Sequence, residues 1–196
     1  VQSKASTLTN GGEIAVSLPD AAVMVGPGAQ QPLSLGDVNA LLPVAISYWT
    51  DLGVPESVLK GVTVSIADLA DLLVGKTDGN DITLDTTGAG WGWYTGAPGA
   101  GAFDPVDDSI SHFVAKESGA AYGKMDLLTV LIHELGHVAG AQDVMRSSDC
   151  MYPYMTPGDR RLPTGLDKTT ESAGSQLMTQ SVTTQPADSG AHALAS

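Results

Sequence analysis

The sequence predicts one α+β domain, spanning about residues 11–170. Three observations lead there. Short runs of alternating apolar residues in the first half read as strands. Two longer segments repeat their apolar residues at helical spacing. The order strand, helix, strands, loop, helix, turn does not have the regular strand–helix alternation of a parallel α/β fold. A length of 196 residues suits one domain with a proper core and is short for two, and 42% hydrophobic residues argue against wholesale disorder.

Residues 1–10 are small and polar and read as a leader or linker. The chain starts at Val1 without an apolar signal core, so the expectation is a processed form or a piece of something longer. EIAVSL and AAVMVG flank Pro19-Asp20 and predict a β-hairpin. Ser34 opens a helix in which Val38, Leu41, Leu42, Ala45, Ile46 and Trp49 share a face, and Gly53 ends it. Pro43 falls inside that pattern, so either a kink or a later helix start is open. VTVSIADL (62–69) alternates as a half-buried strand, and ITLD (82–85) follows the turn Asp78-Gly79-Asn80-Asp81. A glycine-rich, irregular stretch (86–105) holds Trp91, Trp93 and Tyr94, which either line a cleft or pack on the sheet. ISHFVA comes next, then a helix over about Met125–Val138, proline-containing turns, and a short helix near Leu166–Met178. From Glu171 to Ser196 the composition is a Ser/Thr/Ala/Gly-rich low-complexity tail.

Charge narrows the partners. Twenty-two acids against nine bases give −13, a poor match for nucleic acid or an anionic membrane surface. No apolar run reaches the roughly 18 residues that span a bilayer. Cys150 is the one cysteine, which excludes an intrachain disulfide, and its place beside Met151 predicts burial.

The chemistry concentrates in VLIHELGHVAGAQDVMRSSDCMYPYM (130–155). His133 and His137 are four apart on a strongly helical segment, so both imidazoles share a face and reach one ion. Glu134 stands about 100° around the helix, beside the ion's open position, where a general base belongs. Gly136 permits close packing, and Gly140 permits the left-handed conformation that ends a helix. Asp143 then offers a carboxylate as third ligand. Met151 follows in a tight turn, as an apolar floor under the metal.

HELGHVAGAQD followed by DCMYP resembles the metzincin zinc peptidases, and MYP the matrixin branch. The segment from TVLIHELGHVAG to MYPYMTPGDRRLPTGLD also resembles matrixin-like domains of large secreted bacterial proteins. The specific likeness covers residues 124–168, with a looser one at ITLDTTGAGWGWY and DPVDDS. Asp143 departs from the usual third histidine, and snapalysin-type metzincins are similar in ending the motif with Asp. The resemblance implies a twisted, mostly parallel sheet, an active-site helix and a Met-turn. It also implies a secreted zinc endopeptidase that binds extended peptide along an edge strand, for which ITLD or the segment after it is the candidate. DPVDDS is similar to a matrixin calcium loop, so Asp104, Asp107 and Asp108 are calcium candidates beside a bland reading as a solvated loop. Tyr154 and Tyr152 are candidates for contact with substrate or the transition state, although Pro153 occupies the position where metzincins that use such a tyrosine carry it. His112 stands alone in a strand-like run and reads as a surface or core histidine, beside the alternative of a ligand to a second metal, and His192 in the tail reads as inert. The alternative function is a structural, adhesive or assembly module whose site is silent or limited to self-processing.

Overall fold

The computed structural model describes residues 11–17, 31–99 and 101–165. The elements run β1 (Gly11–Val16), α1 (Leu35–Asp51), α2 (Glu56–Leu59), β2 (Thr63–Ala67), β3 (Leu73–Asp78) and β4 (Asp81–Asp85). They continue with β5 (Trp93–Tyr94), β6 (Phe103–Pro105), β7 (His112–Ala115), β8 (Met125–Asp126), α3 (Leu127–Val138), β9 (Tyr154–Met155) and β10 (Asp159–Arg161). This is a mixed α+β arrangement, as the element order predicts. The segments 21–26 and 166–178, expected as a hairpin strand and a short helix, lie outside the described residues, as does the tail.

The main sheet has the order β2-β4-β3-β1-β9 and is mixed rather than mostly parallel. β2 pairs β4 and β1 pairs β9 in parallel, while β3 is antiparallel to both β4 and β1. The reason is local. Gly79-Asn80 joins β3 to β4 with Asp78 opposite Asp81, and a two-residue link can only reverse the chain. β3 itself, LVGKTD, was not legible as a strand: glycine, lysine and aspartate weaken its propensity, and pairing on both edges outweighs that.

α1 starts as predicted at Ser34, which forms a capping box with Asp37. It runs through Pro43, which sits on the exposed face, without breaking into two elements. Val38, Leu41, Ala45 and Trp49 are buried, with Leu42 and Ile46 packed against the core edge. The Trp49 indole N–H donates to the Ile132 carbonyl at 2.9 Å, tying α1 to α3. α3 is buried along its whole length, between α1 and the β1/β3 part of the sheet. Among the described residues no helix is long and apolar enough to cross a membrane.

Candidate metal centre

Helix α3 is held at both ends. Asp126 caps its N-terminus, accepting from the Thr129 backbone N–H at 3.1 Å and hydroxyl at 2.7 Å. Arg160 clamps the same buried carboxylate with two hydrogen bonds, at 2.7 and 3.0 Å. At the other end Gly140 has φ +90°, where a Cβ would be strained. Its N–H donates to the His137 carbonyl at 3.0 Å, and that of Ala141 donates to Gly136 at 2.9 Å. These two bonds are a Schellman turn. The reversal carries the chain back over the helix and brings Asp143 to the two histidines.

His133, His137 and Asp143 form the one group of three such side chains whose ligand atoms converge among the described residues, within 4.8 Å of one another. The two Nε2 atoms are 3.0 Å apart, and Asp143 Oδ1 lies 3.6 Å from His133 Nε2 and 3.4 Å from His137 Nε2. Tetrahedral bonds of about 2.0–2.1 Å place neighbouring donors about 3.3 Å apart, so this triangle is the size of one face of such a site.

The other ring nitrogens decide the tautomers. His133 Nδ1 is 2.9 Å from the Cys150 carbonyl, and His137 Nδ1 is 3.2 Å from the Ala141 carbonyl. A carbonyl only accepts, so each Nδ1 donates, and each Nε2 is the ring nitrogen turned inward toward Asp143. Burial, reinforced by the neighbouring His137, pushes the His133 pKa down to about 4, so this ring is neutral near pH 7. Two ring nitrogens and a carboxylate oxygen thus face one point. The group could hold a metal ion, and its donor set fits one.

Glu134 faces the sheet. Its Oε2 accepts from the Thr77 hydroxyl at 2.6 Å, while Oε1 is buried without a hydrogen-bond partner. Burial raises its pKa to about 8, against the Thr77 bond, with Asp143 and Glu13 adding to the rise. Two strand glycines let the sheet come this close. A Cβ on Gly75 would lie 2.7 Å from Glu134 Oε1, and one on Gly12 would lie 2.1 Å from His137 Nε2. Neither Thr77 nor these glycines was found by sequence reasoning, because no motif joins them to the helix.

Met151 is buried against α3, and a Cβ on Gly136 would meet its sulfur at 2.4 Å. The turn around it is closed by Asp149, whose carboxylate accepts from the Met151 N–H at 2.9 Å. The same turn supplies the Cys150 carbonyl that orients His133. The Cys150 thiol is buried, as its apolar neighbour predicted, and burial pushes its pKa well above the ordinary value.

A cleft of about 730 Å³ opens beside the triad, lined among others by Gly11, Gly12, Glu13, Thr77, Asp143 and Tyr154. Tyr154 is 43% exposed on this wall, with Tyr152 edge-on to it at 5.6 Å and under the Arg161 guanidinium. ITLD is not an edge strand: β4 lies between β2 and β3, both of its edges occupied. β1 and β3 both line the cleft, and of the two β1 has the open edge, since it pairs β9 only at Ala15 and Val16. Trp91, Trp93 and Tyr94 pack inside the protein, and the Trp93 indole donates to the Asp85 carbonyl at 2.9 Å.

The calcium candidates are not brought together. Asp104, Asp107 and Asp108 are exposed, Asp104 pairs with Lys116 at 3.5 Å, and the three carboxylates do not converge as the His/His/Asp group does. Asp107 and Asp108 both have positive φ in this turn. His112 is half-buried on β7, 3.9 Å from Asp159 and away from the triad. His192 lies outside the described residues. No family model matches this chain, and comparison with curated proteins and with solved structures returned no match either.

Proposed function

We propose that this chain is a zinc-dependent endopeptidase domain that cuts extended protein substrates outside the cell. One observation carries the reading: three metal-binding donors converge beside a cleft, and the next helical residue, Glu134, keeps an unpartnered carboxylate oxygen. Two imidazoles and one carboxylate are a zinc donor set that leaves a fourth position for water or substrate. Bound zinc would supply Lewis acidity, acidifying a water and polarising the scissile carbonyl. Glu134 Oε1 takes the proton of the attacking water and later delivers it to the leaving amine. Thr77 holds Oε2 meanwhile, and the Cys150 and Ala141 carbonyls keep both histidines facing inward. Peptide lies along β1, whose residues 11–14 have no partner on the β9 side among the described strands.

The test is zinc stoichiometry together with casein or gelatin cleavage, for the wild type, Glu134→Ala and a chelated sample. Zinc bound at one per chain with no cleavage under any condition rules the peptidase out. One observation favours a second reading, an ion that only holds an extracellular module together. His133 and His137 are 0% and 5% exposed, and the Gly12 backbone lies against the His137 ring. On that reading chelation lowers Tm and Glu134→Ala changes nothing measurable in cleavage.

A further inference from the structure

We infer that β3 is the second half of the catalytic apparatus: Thr77 is a positioning residue that aims the Glu134 carboxylate, and Gly75 keeps the space its working oxygen needs. This rests on the peptidase reading. Three contacts converge on it. The Thr77 hydroxyl is buried and donates to Glu134 Oε2 at 2.6 Å, with the Glu134 backbone carbonyl at 3.3 Å as a second neighbour. The one hydroxyl proton of Thr77 is therefore committed to the side chain of a residue 57 positions away in sequence.

A carboxylate on a long side chain has several rotamers, and a buried one without partners costs free energy to hold in place. Binding a single oxygen restrains the rotamer and leaves the other oxygen for proton transfer. That other oxygen, Oε1, has no partner, and a Cβ at position 75 would intrude to 2.7 Å from it and 2.9 Å from Val130 Cγ1. Glycine at 75 and threonine at 77 lie on the same face of one strand, two residues apart, as the pleat requires. Register holds them there, since Ile14 pairs with Gly75 and Gly12 with Thr77. Thus the glycines of both strands face the helix where its chemistry-bearing side chains come closest.

The experiment compares Thr77→Val, which keeps the shape and removes the hydroxyl, with Thr77→Ser, which restores it. For the zinc-loaded enzyme we expect Thr77→Val to lower kcat roughly 10–100-fold, the range of outer-shell partners, with KM and zinc stoichiometry unchanged. Thr77→Ser should recover most of kcat. Gly75→Ala should lower kcat with zinc retained. Two readouts need no peptide cleavage. In metal-free protein Thr77→Val should lower Tm in the wild-type background but not with Glu134→Ala, because only the wild-type background leaves a buried carboxyl group without its hydrogen-bond partner. In cobalt-loaded protein Thr77→Val should move the visible absorption bands toward those of Glu134→Ala. An equal Tm loss in both backgrounds, cobalt bands unchanged from the wild type, or an unchanged kcat in an active enzyme each overturns the assignment. Wild-type protein that cuts no peptide sinks the peptidase reading alone, and the Tm and cobalt arms still decide the role of Thr77.

Discussion

Two acidic regions of this molecule invite a metal, and only one is built for it. The loop at Asp104, Asp107 and Asp108 has three carboxylates within five residues, yet they are exposed and do not converge. The His133, His137 and Asp143 group has only one carboxylate, yet its three donor atoms converge. Helical spacing brings the two imidazoles edge to face on one side of α3, a Schellman turn returns the carboxylate, and two carbonyls orient both rings. Ligand chemistry is common on an acidic surface. Enforced convergence is rare, because each orienting contact has to overcome side-chain entropy.

The contrast can be broken in four ways, from the largest expected effect to the smallest. Glu134→Ala should cut hydrolysis roughly 10²–10⁴-fold while zinc stays at one per chain, measured by peptide turnover and metal analysis. Comparable turnover in that variant would falsify the base assignment. Next, Asp143→Ala should weaken zinc binding by more than about 100-fold, beyond the range of outer-shell substitutions, and Asp143→His should retain the ion. The triple change of Asp104, Asp107 and Asp108 to Asn should leave metal content untouched, and calorimetry on the same preparations compares the two regions directly.

Smaller effects probe the scaffold. Gly136→Ala drives a methyl to 2.4 Å from the Met151 sulfur and 2.9 Å from Trp49 Cζ2. Overpacking of this kind costs about 1–3 kcal/mol, read from chemical denaturation. An unperturbed denaturation midpoint would show that the Met151 turn is not pressed against the helix.

The weakest effect is a pH slope in metal-free protein. Glu134 has its pKa raised from 4.5 to about 8, so the folded state prefers the protonated form, and stability falls as pH rises through that window. His133, lowered from 6.5 to about 4, works in the opposite sense, with stability lost as pH falls through its own window. Of these two groups, Glu134 dominates the slope between pH 6.5 and 8, amounting to about 1–2 kcal/mol. Glu134→Gln should flatten it, and a Tm that still declines equally over that range in the Gln variant would assign the slope elsewhere.

Much of the triad was legible because its determinants are close in the chain. The i,i+4 histidines, Gly140, Asp143 and Met151 lie within 19 residues, and helix geometry with one glycine turn places them. The helix of Val38 to Trp49 was equally readable from its period and its Ser34 cap, and Pro43 proved compatible with it. What failed was pairing. ITLD reads as a strand, but nothing local says whether a strand ends up at an edge, and β2 and β3 flank it. β3 escaped notice altogether, and with it Gly75 and Thr77. The carbonyls of Cys150 and Ala141 are invisible for another reason, since every residue has one and only the fold aims it.

The sequence by itself determined a helix with two histidines on one face, a glycine stop, a carboxylate beyond it and a buried methionine turn, because each follows from short-range geometry and side-chain chemistry. Only the tertiary structure decided that the donors converge, that β1 rather than β4 borders the cleft, and that Thr77 grips Glu134 across the core. Those depend on strand order and register. They are settled by burial and backbone pairing summed over the whole sheet, which no short window of sequence contains.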